Sequence, residues 1–191
     1  MTLLIFDLDG TLVDCKELHQ IAFRKAVEQQ VPGADFDDDL IEGLPTTEKI
    51  KVLQSIGIHV TIEIDQLKRD WVRQHIDDFI FYDKNVYDAI MQLSKKGYRM
   101  AVCSNSRNEF VLKCLSIMDL WHFELVYSKD HGRPKPNPWM FNECMNITGT
   151  LASDTYIFED SPVGIRAAQA SGANVIAVTG SVDLIRKLND F

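Results

Sequence analysis

The chain has 191 residues, enough for one sizeable core or for a core with a small insertion. Its 46% hydrophobic and 25% charged content is ordinary for a globular protein, and a formal net charge of −8 argues against a basic nucleic-acid surface. Four scattered cysteines (Cys15, Cys103, Cys114, Cys144) contain no C-x-x-C pair, and no stretch reaches the length of a membrane span, so reduced thiols and a cytoplasmic location are expected.

The apolar run Leu3-Leu4-Ile5-Phe6 reads as a strand buried on both faces, the kind found inside a parallel sheet. It runs straight into Asp7-Leu8-Asp9-Gly10-Thr11, and residues 1–6 are too short and lack the basic start of a signal peptide. In extended backbone Asp7 and Asp9 point the same way. Gly10 permits a sharp turn, and Thr11 is expected to hydrogen-bond back and hold the loop.

Lys16 to Gln30 has helical spacing (Leu18, Ile21, Ala22, Ala26, Val27) and breaks at Val31-Pro32-Gly33. The acidic run Asp35 to Asp39 predicts a short helix ending near Gly43, with its charge suited to a helix N-terminus. Pro45-Thr46-Thr47-Glu48 starts a further helix through Ile56, and another runs from about Ile64 to Phe81. Only His59 to Ile64 interrupts this helical block, as a short strand or a loop. Residues 16–82 therefore read as a small all-helical cap inserted after the first strand, hinged near Cys15–Leu18 and Phe81–Lys84.

From Val86 onward strand and helix alternate, which predicts βαβ units in a parallel sheet. Strands are expected at Arg99–Cys103, Phe123–Tyr127, Thr155–Phe158 and Asn174–Val178. The intervening helices are Val86–Lys96, Asn108–Met118, Asn137–Thr148, Val163–Ala170 and Val182–Leu188. The fold class is thus α/β: a Rossmann-like parallel sheet core from residues 1–15 and 83–191, flanked by helices, with the cap at 16–82.

The chemistry lies at the ends of these strands, where open α/β sheets bind ligands. Two carboxylates on one short loop repel each other unless a hard cation joins them. An EF-hand register fails, because it places Lys16 where the bidentate acid belongs. Ser104-Asn105 follows the second strand; such a pair can hold a phosphate oxygen or simply cap a helix. Lys135 stands between Pro134 and Pro136, so a long cationic side chain can be aimed with little entropy lost. Glu159-Asp160, in the loop after the Thr155–Phe158 strand, is a second acidic pair. Two such pairs without a compensating base call for a divalent cation.

Asp7-Leu8-Asp9-Gly10-Thr11 resembles the first motif of the haloacid dehalogenase superfamily of phosphotransferases. Ser104, Lys135 and Glu159-Asp160 resemble its second, third and fourth motifs, so the resemblance covers essentially the whole chain. It implies a Mg²⁺-dependent enzyme in which Asp7 is the nucleophile and Asp9 the general acid/base. Ser104, Asn105 and Lys135 would bind the phosphoryl group. Mg²⁺ would be held by Asp7, Asp9 and Asp160, with Glu159 either a ligand or an orienting residue. The expected partner is a small phosphorylated metabolite, with neither nucleic acid nor membrane, and the expected state is a monomer or weak homodimer.

A dehalogenase has no use for Asp9. A sugar-phosphate mutase of the β-phosphoglucomutase type is the alternative: His19, twelve residues past Asp7, matches a hinge-side histidine of that branch. Against it, Thr46 stands where that branch has a cap arginine for the second phosphate. A non-catalytic phosphate-binding or signalling module would share the parallel sheet, a phosphorylatable Asp and Mg²⁺, but would not carry the helical insertion at 16–82, and an inactive relative would be expected to lack Asp9 or Lys135. Arg24, Thr46, Lys49 and Arg73 are candidate cap residues for substrate selection.

Overall fold

A computed structural model describes residues 2–41, 44 and 46–191. The chain divides into two compact units, Met1–Asp14 with Ile80–Phe191, and Cys15–Phe79.

The first unit is built on a parallel sheet of five strands among the described residues, in the order β3-β2-β1-β4-β5. These are β1 (Leu3–Phe6), β2 (Arg99–Cys103), β3 (Leu125–Tyr127), β4 (Thr155–Glu159) and β5 (Asn174–Ala177). The apolar run sits at the centre: Leu3 to Phe6 pair with Arg99 to Val102 on one side and with Thr155 to Phe158 on the other. All four residues are fully buried, as a run without alternation requires. Period two divides the sheet's side chains between its faces. On one face Leu3, Ile5, Ala101, Cys103 and Ile157 pack with Met140, Phe141, Cys144, Ala167 and Ala168, which belong to α6 (Trp139–Thr148) and α7 (Pro162–Ser171). Phe6 has the opposite parity and stacks on Phe158 at 4.9 Å between ring centroids. Because every strand runs the same way, the residues after β1, β2, β3 and β4 emerge at one edge.

The remaining helices of this unit are α4 (Lys84–Lys95), α5 (Asn108–Ile117) and α8 (Ser181–Leu188). α4 starts two residues before the predicted Val86 because Asp83 accepts hydrogen bonds from the main chain of Asn85 and Val86. β3 is shorter than predicted. Phe123 instead sets its ring edge-on to Phe6, and Glu124 pairs with Arg99. β4 is longer, and its last residue is Glu159, which pairs in register with Ala177. Glu159 is therefore a strand residue, not the loop residue that the sequence suggested.

The second unit contains α1 (Lys16–Gln30), α2 (Thr46–Ser55) and α3 (Ile64–Phe79), with no strand among its described residues. Phe23, Ala26, Val27, Phe36, Ile41, Ile50, Leu53, Ile58, Val60 and Ile64 form its core. The expected short acidic helix is only a 3₁₀ turn, Asp38–Leu40, whose first donors are met by Asp37 accepting from the Asp39 amide. Gly43 and Pro45, assigned from sequence to the end of one helix and the start of the next, lie outside the described residues. His59 to Glu63 is a loop that leads into α3 at Ile64, clasped by the Gln30 amide, which accepts from Thr61 N at 2.8 Å and donates to Thr61 Oγ1 at 3.1 Å. None of the described helices is long and apolar enough to cross a membrane. All four cysteines are buried and unbridged.

Candidate functional site

The site starts where β1 ends. Asp7 N–H donates to Phe158 O at 2.9 Å, extending the ladder one residue beyond the strand and pinning Asp7 beside β4. The loop then folds on itself through main-chain bonds from Thr11, Leu12 and Val13 to Leu8 O, and from Gly10 N to Val13 O. The expected back-bond from the Thr11 side chain is absent, since its hydroxyl is buried without a partner. Gly10 is needed for two reasons. Its φ is +84°, and a Cβ there would lie 2.2 Å from Asp160 Oδ2.

Lys135 brings the first and fourth motifs together. Its side chain is 2% exposed; Nζ donates to Asp7 Oδ1 at 2.5 Å and to Glu159 Oε1. The acidic pairs thus have a base between them. Burial pushes the Asp7 carboxyl well above the usual range; the Lys135 ammonium opposes this, while Glu159 and Asp9 reinforce it. Burial alone would lower the Lys135 pKa, but Asp7 and Glu159 outweigh it and hold the ammonium above its ordinary value.

Glu159 is wholly buried, and both its oxygens are engaged. Besides Lys135 on Oε1, Oε2 accepts from Ser161 N at 3.1 Å and Ser161 Oγ at 3.0 Å. Ser161 Oγ in turn accepts from Gly164 N and caps α7. A Cβ on Gly164 would fall 1.9 Å from Glu159 Oε1, so glycine is what lets the helix approach this carboxylate. Asp160 differs. It is only partly buried, yet its Oδ1 is a buried acceptor without a hydrogen-bond partner. Burial first, and then the Glu159 charge, raise its carboxyl to about 6. Asp7, Glu159 and Asp160 each offer a carboxylate oxygen, all within 4.8 Å of one another. A buried acceptor with no donor, beside other carboxylates, suits a hard cation.

The loop after β2 holds Asp9. Ser104 is fully buried; its hydroxyl donates to Asp9 Oδ2 at 3.1 Å and accepts from Ser106 N. Ser106 Oγ donates to the same Asp9 oxygen at 2.8 Å. Ser106 was not singled out from sequence, although its place two residues past Ser104 was the available signal. Asn105 makes both its side-chain bonds to the main chain of Lys135: Oδ1 accepts from Lys135 N at 2.8 Å and Nδ2 donates to Lys135 O at 3.0 Å.

The structure therefore brings together Asp7, Lys135, Glu159 and Asp160, with Asp9, Ser104 and Asn105 in the adjoining loops. His19, Arg24, Thr46, Lys49 and Arg73 belong to the helical unit. There Arg24 pairs with Asp38 at 2.9 Å, the Lys49 ammonium lies 4.9 Å from the Phe23 ring centroid, and Arg73 pairs with Asp70.

Residues 4–178 match the family model described as haloacid dehalogenase-like hydrolase. A pyrophosphatase PpaX of Halalkalibacterium halodurans is 28% identical over 178 residues, spanning 91% of this chain and 81% of the relative. A phosphoglycolate phosphatase of Aquifex aeolicus is 26% identical, spanning 100% of this chain and 91% of its own length. Among solved structures, a candidate β-phosphoglucomutase of Thermotoga maritima superposes with a TM-score of 0.79 at 21% identity, covering 100% of this chain and 99% of the other. The CbbY protein of Rhodobacter sphaeroides, in complex with phosphate, gives 0.75 at 20% identity, over 94% and 87% of the two chains.

Proposed function

The chain belongs to the haloacid dehalogenase-like hydrolases, and from that premise we propose that it is a Mg²⁺-dependent phosphatase acting on a small phosphomonoester through a phosphoaspartate. The observation that carries this reading is the Lys135 ammonium held at 2.5 Å from Asp7 Oδ1, deep at the sheet edge beside Glu159 and Asp160. An ammonium so placed orients one carboxylate oxygen and leaves the other for attack.

An Asp7 carboxylate oxygen attacks phosphorus as the bond to the leaving oxygen breaks, and Asp9 gives that oxygen its proton. Asp9 then takes a proton from water, whose oxygen attacks the same phosphorus and releases phosphate from Asp7. Ser104 and Ser106 hold the Asp9 carboxylate in place through both exchanges. Lys135, with amide groups of the loop after β2, stabilises the charge on the phosphoryl oxygens. Asp7, the main-chain carbonyl of Asp9, and Asp160 would hold Mg²⁺, which supplies charge neutralisation between the carboxylates and the phosphoryl group. Glu159 is the orienting residue in this reading, because its oxygens already serve Lys135 and Ser161.

The helical unit is the cap, and the substrate, a small phosphorylated metabolite, is selected there. The phosphatase names of the relatives from Halalkalibacterium halodurans and Aquifex aeolicus support hydrolysis of phosphate esters or anhydrides. The test is release of phosphate from p-nitrophenyl phosphate with and without Mg²⁺, followed by acid quenching to trap phosphate on Asp7. Asp7→Asn should lower turnover by roughly 10⁴-fold or more while leaving the circular dichroism unchanged. Conversion of a hexose 1-phosphate to its 6-phosphate with little free phosphate would replace this reading with a mutase.

A further inference from the structure

We infer that Asn105 is a positioning residue: it fixes the main chain of Lys135, and through it the place of the Lys135 ammonium, rather than binding the phosphoryl group itself. The inference rests on the phosphatase reading for its kinetic consequences, but not for its geometry. Asn105 stands in the loop after β2, thirty residues before Lys135, and its side-chain amide is matched to the Lys135 peptide groups at both ends. Oδ1 accepts the Lys135 N–H at 2.8 Å, and Nδ2 donates to Lys135 O at 3.0 Å. One rigid planar group thus replaces the two backbone partners that a strand neighbour would supply, in a segment that has no ladder of its own.

The need for such a clamp follows from what Lys135 does. Its side chain passes into a buried site and ends between two carboxylates, with the Phe141 ring centroid 5.4 Å from Nζ. A displaced main chain would carry the ammonium away from Asp7, and an error of about 1 Å at such a centre can lower turnover about 100-fold. The flanking prolines restrict the loop's torsions but attach it to nothing. Asn105 ties it to the loop after β2. That loop also carries Ser104 and Ser106, which hold Asp9, so Asn105 links it directly to Lys135, while Lys129 N–H to Ser106 O and Asn108 N–H to Asp130 join the same two segments further upstream.

If Asn105 acts through Lys135, the two substitutions will not multiply. With p-nitrophenyl phosphate and Mg²⁺, Asn105→Ala should lower kcat about 10- to 100-fold, with KM and inhibition by inorganic phosphate changed less than about threefold. In a Lys135→Ala background, adding Asn105→Ala should change kcat by less than about twofold. Asn105→Asp, which keeps the acceptor for Lys135 N–H and loses the donor, should fall between Asn105→Ala and the native chain. A further loss of tenfold or more on the Lys135→Ala background, or a rise in KM and the phosphate inhibition constant with kcat intact, would make Asn105 a direct phosphate ligand and overturn the inference.

A second measurement needs no turnover. Acetic anhydride labelling, read by mass spectrometry and scaled to the exposed Lys96, should find Lys135 protected in the native chain and at least about tenfold more reactive in Asn105→Ala, with circular dichroism unchanged. Equal protection in the two proteins would refute the clamp. Failure of the native chain to release phosphate would instead refute the phosphatase reading and leave the labelling result to decide the role of Asn105.

Discussion

The two units bury different things. Among the described residues, the interior of the helical unit is apolar, from Phe23 and Val27 through Leu53 to Ile64. Its Arg24–Asp38 and Arg73–Asp70 pairs keep their side chains 32% to 54% exposed. The sheet unit encloses Asp7, Thr11, Ser104, Ser128, Lys135, Thr155 and Glu159. Burying an ionised group is costly unless it is paired and hydrogen-bonded, and a fold with no task for such groups would place apolar residues there. The helical unit shows that this chain can build an interior without them. The charged interior of the sheet unit is therefore best explained by chemistry rather than stability.

The largest effect on stability should come from removing the cation that Asp7 and Glu159 share. Lys135→Ala leaves Asp7 and Glu159 buried without their shared partner, and by urea unfolding at pH 7 it should cost about 3–5 kcal/mol. Turnover of p-nitrophenyl phosphate should fall by about 100-fold or more in the same protein. The stability loss should shrink on acidification, because Asp7 already titrates above the usual carboxylate range and its neutral form needs no counter-charge. A loss below about 1 kcal/mol would place Lys135 with the surface pairs and erase the contrast between the units.

Much of this contrast was legible in the sequence, for identifiable reasons. An uninterrupted apolar run ending in Asp-x-Asp marks a buried strand whose continuation must face a ligand, and β1 has the predicted bounds. Strand order was not legible, because pairing across β1 joins segments about 95 and 150 residues away. The destinations of polar side chains were also hidden. Asn105 read as a phosphate donor because its type and loop suit that role, and only the folded chain shows its amide meeting the Lys135 main chain. Glu159 and Asp160 read as an equivalent pair. Extending β4 by one residue turns the first inward to Lys135 and leaves the second partly exposed, with an unpartnered oxygen.

That difference gives a smaller, pH-dependent effect. The Asp160 carboxyl is raised to about 6 in the folded chain from 3.8, first by burial and then by the charge of Glu159. A group raised on folding contributes stability that is complete below its unfolded pKa and lost as pH rises through the folded value. In metal-free buffer the contribution should therefore disappear between about pH 4 and pH 7. It should amount to about 1 kcal/mol, because solvent screens a partly exposed group. Asp160→Asn should remove this step. Mg²⁺ should raise the Tm of the native chain at pH 7 and leave it unchanged at pH 4, and the variant should respond little at either pH. An equal Mg²⁺ response in Asp160→Asn would exclude Asp160 as a ligand.

The smallest effect belongs to the helical unit, and salt separates it from the others. Asp70 on α3 accepts from Arg73 at 2.9 Å, one turn along the helix, with 42% and 54% of the two side chains exposed. A pair so placed gains little Coulomb energy in a high dielectric and gives up side-chain entropy to form, so a double-mutant cycle on Asp70→Asn and Arg73→Gln should yield at most about 0.5 kcal/mol. The Debye length shrinks to about 3 Å at 1 M salt, where this coupling should vanish. The charges around Lys135 are closed off from mobile ions, so the loss in Lys135→Ala should persist at the same salt. If both costs faded together, the interior of the sheet unit would be open to solvent ions, and burial could not be what raises the Asp7 carboxyl.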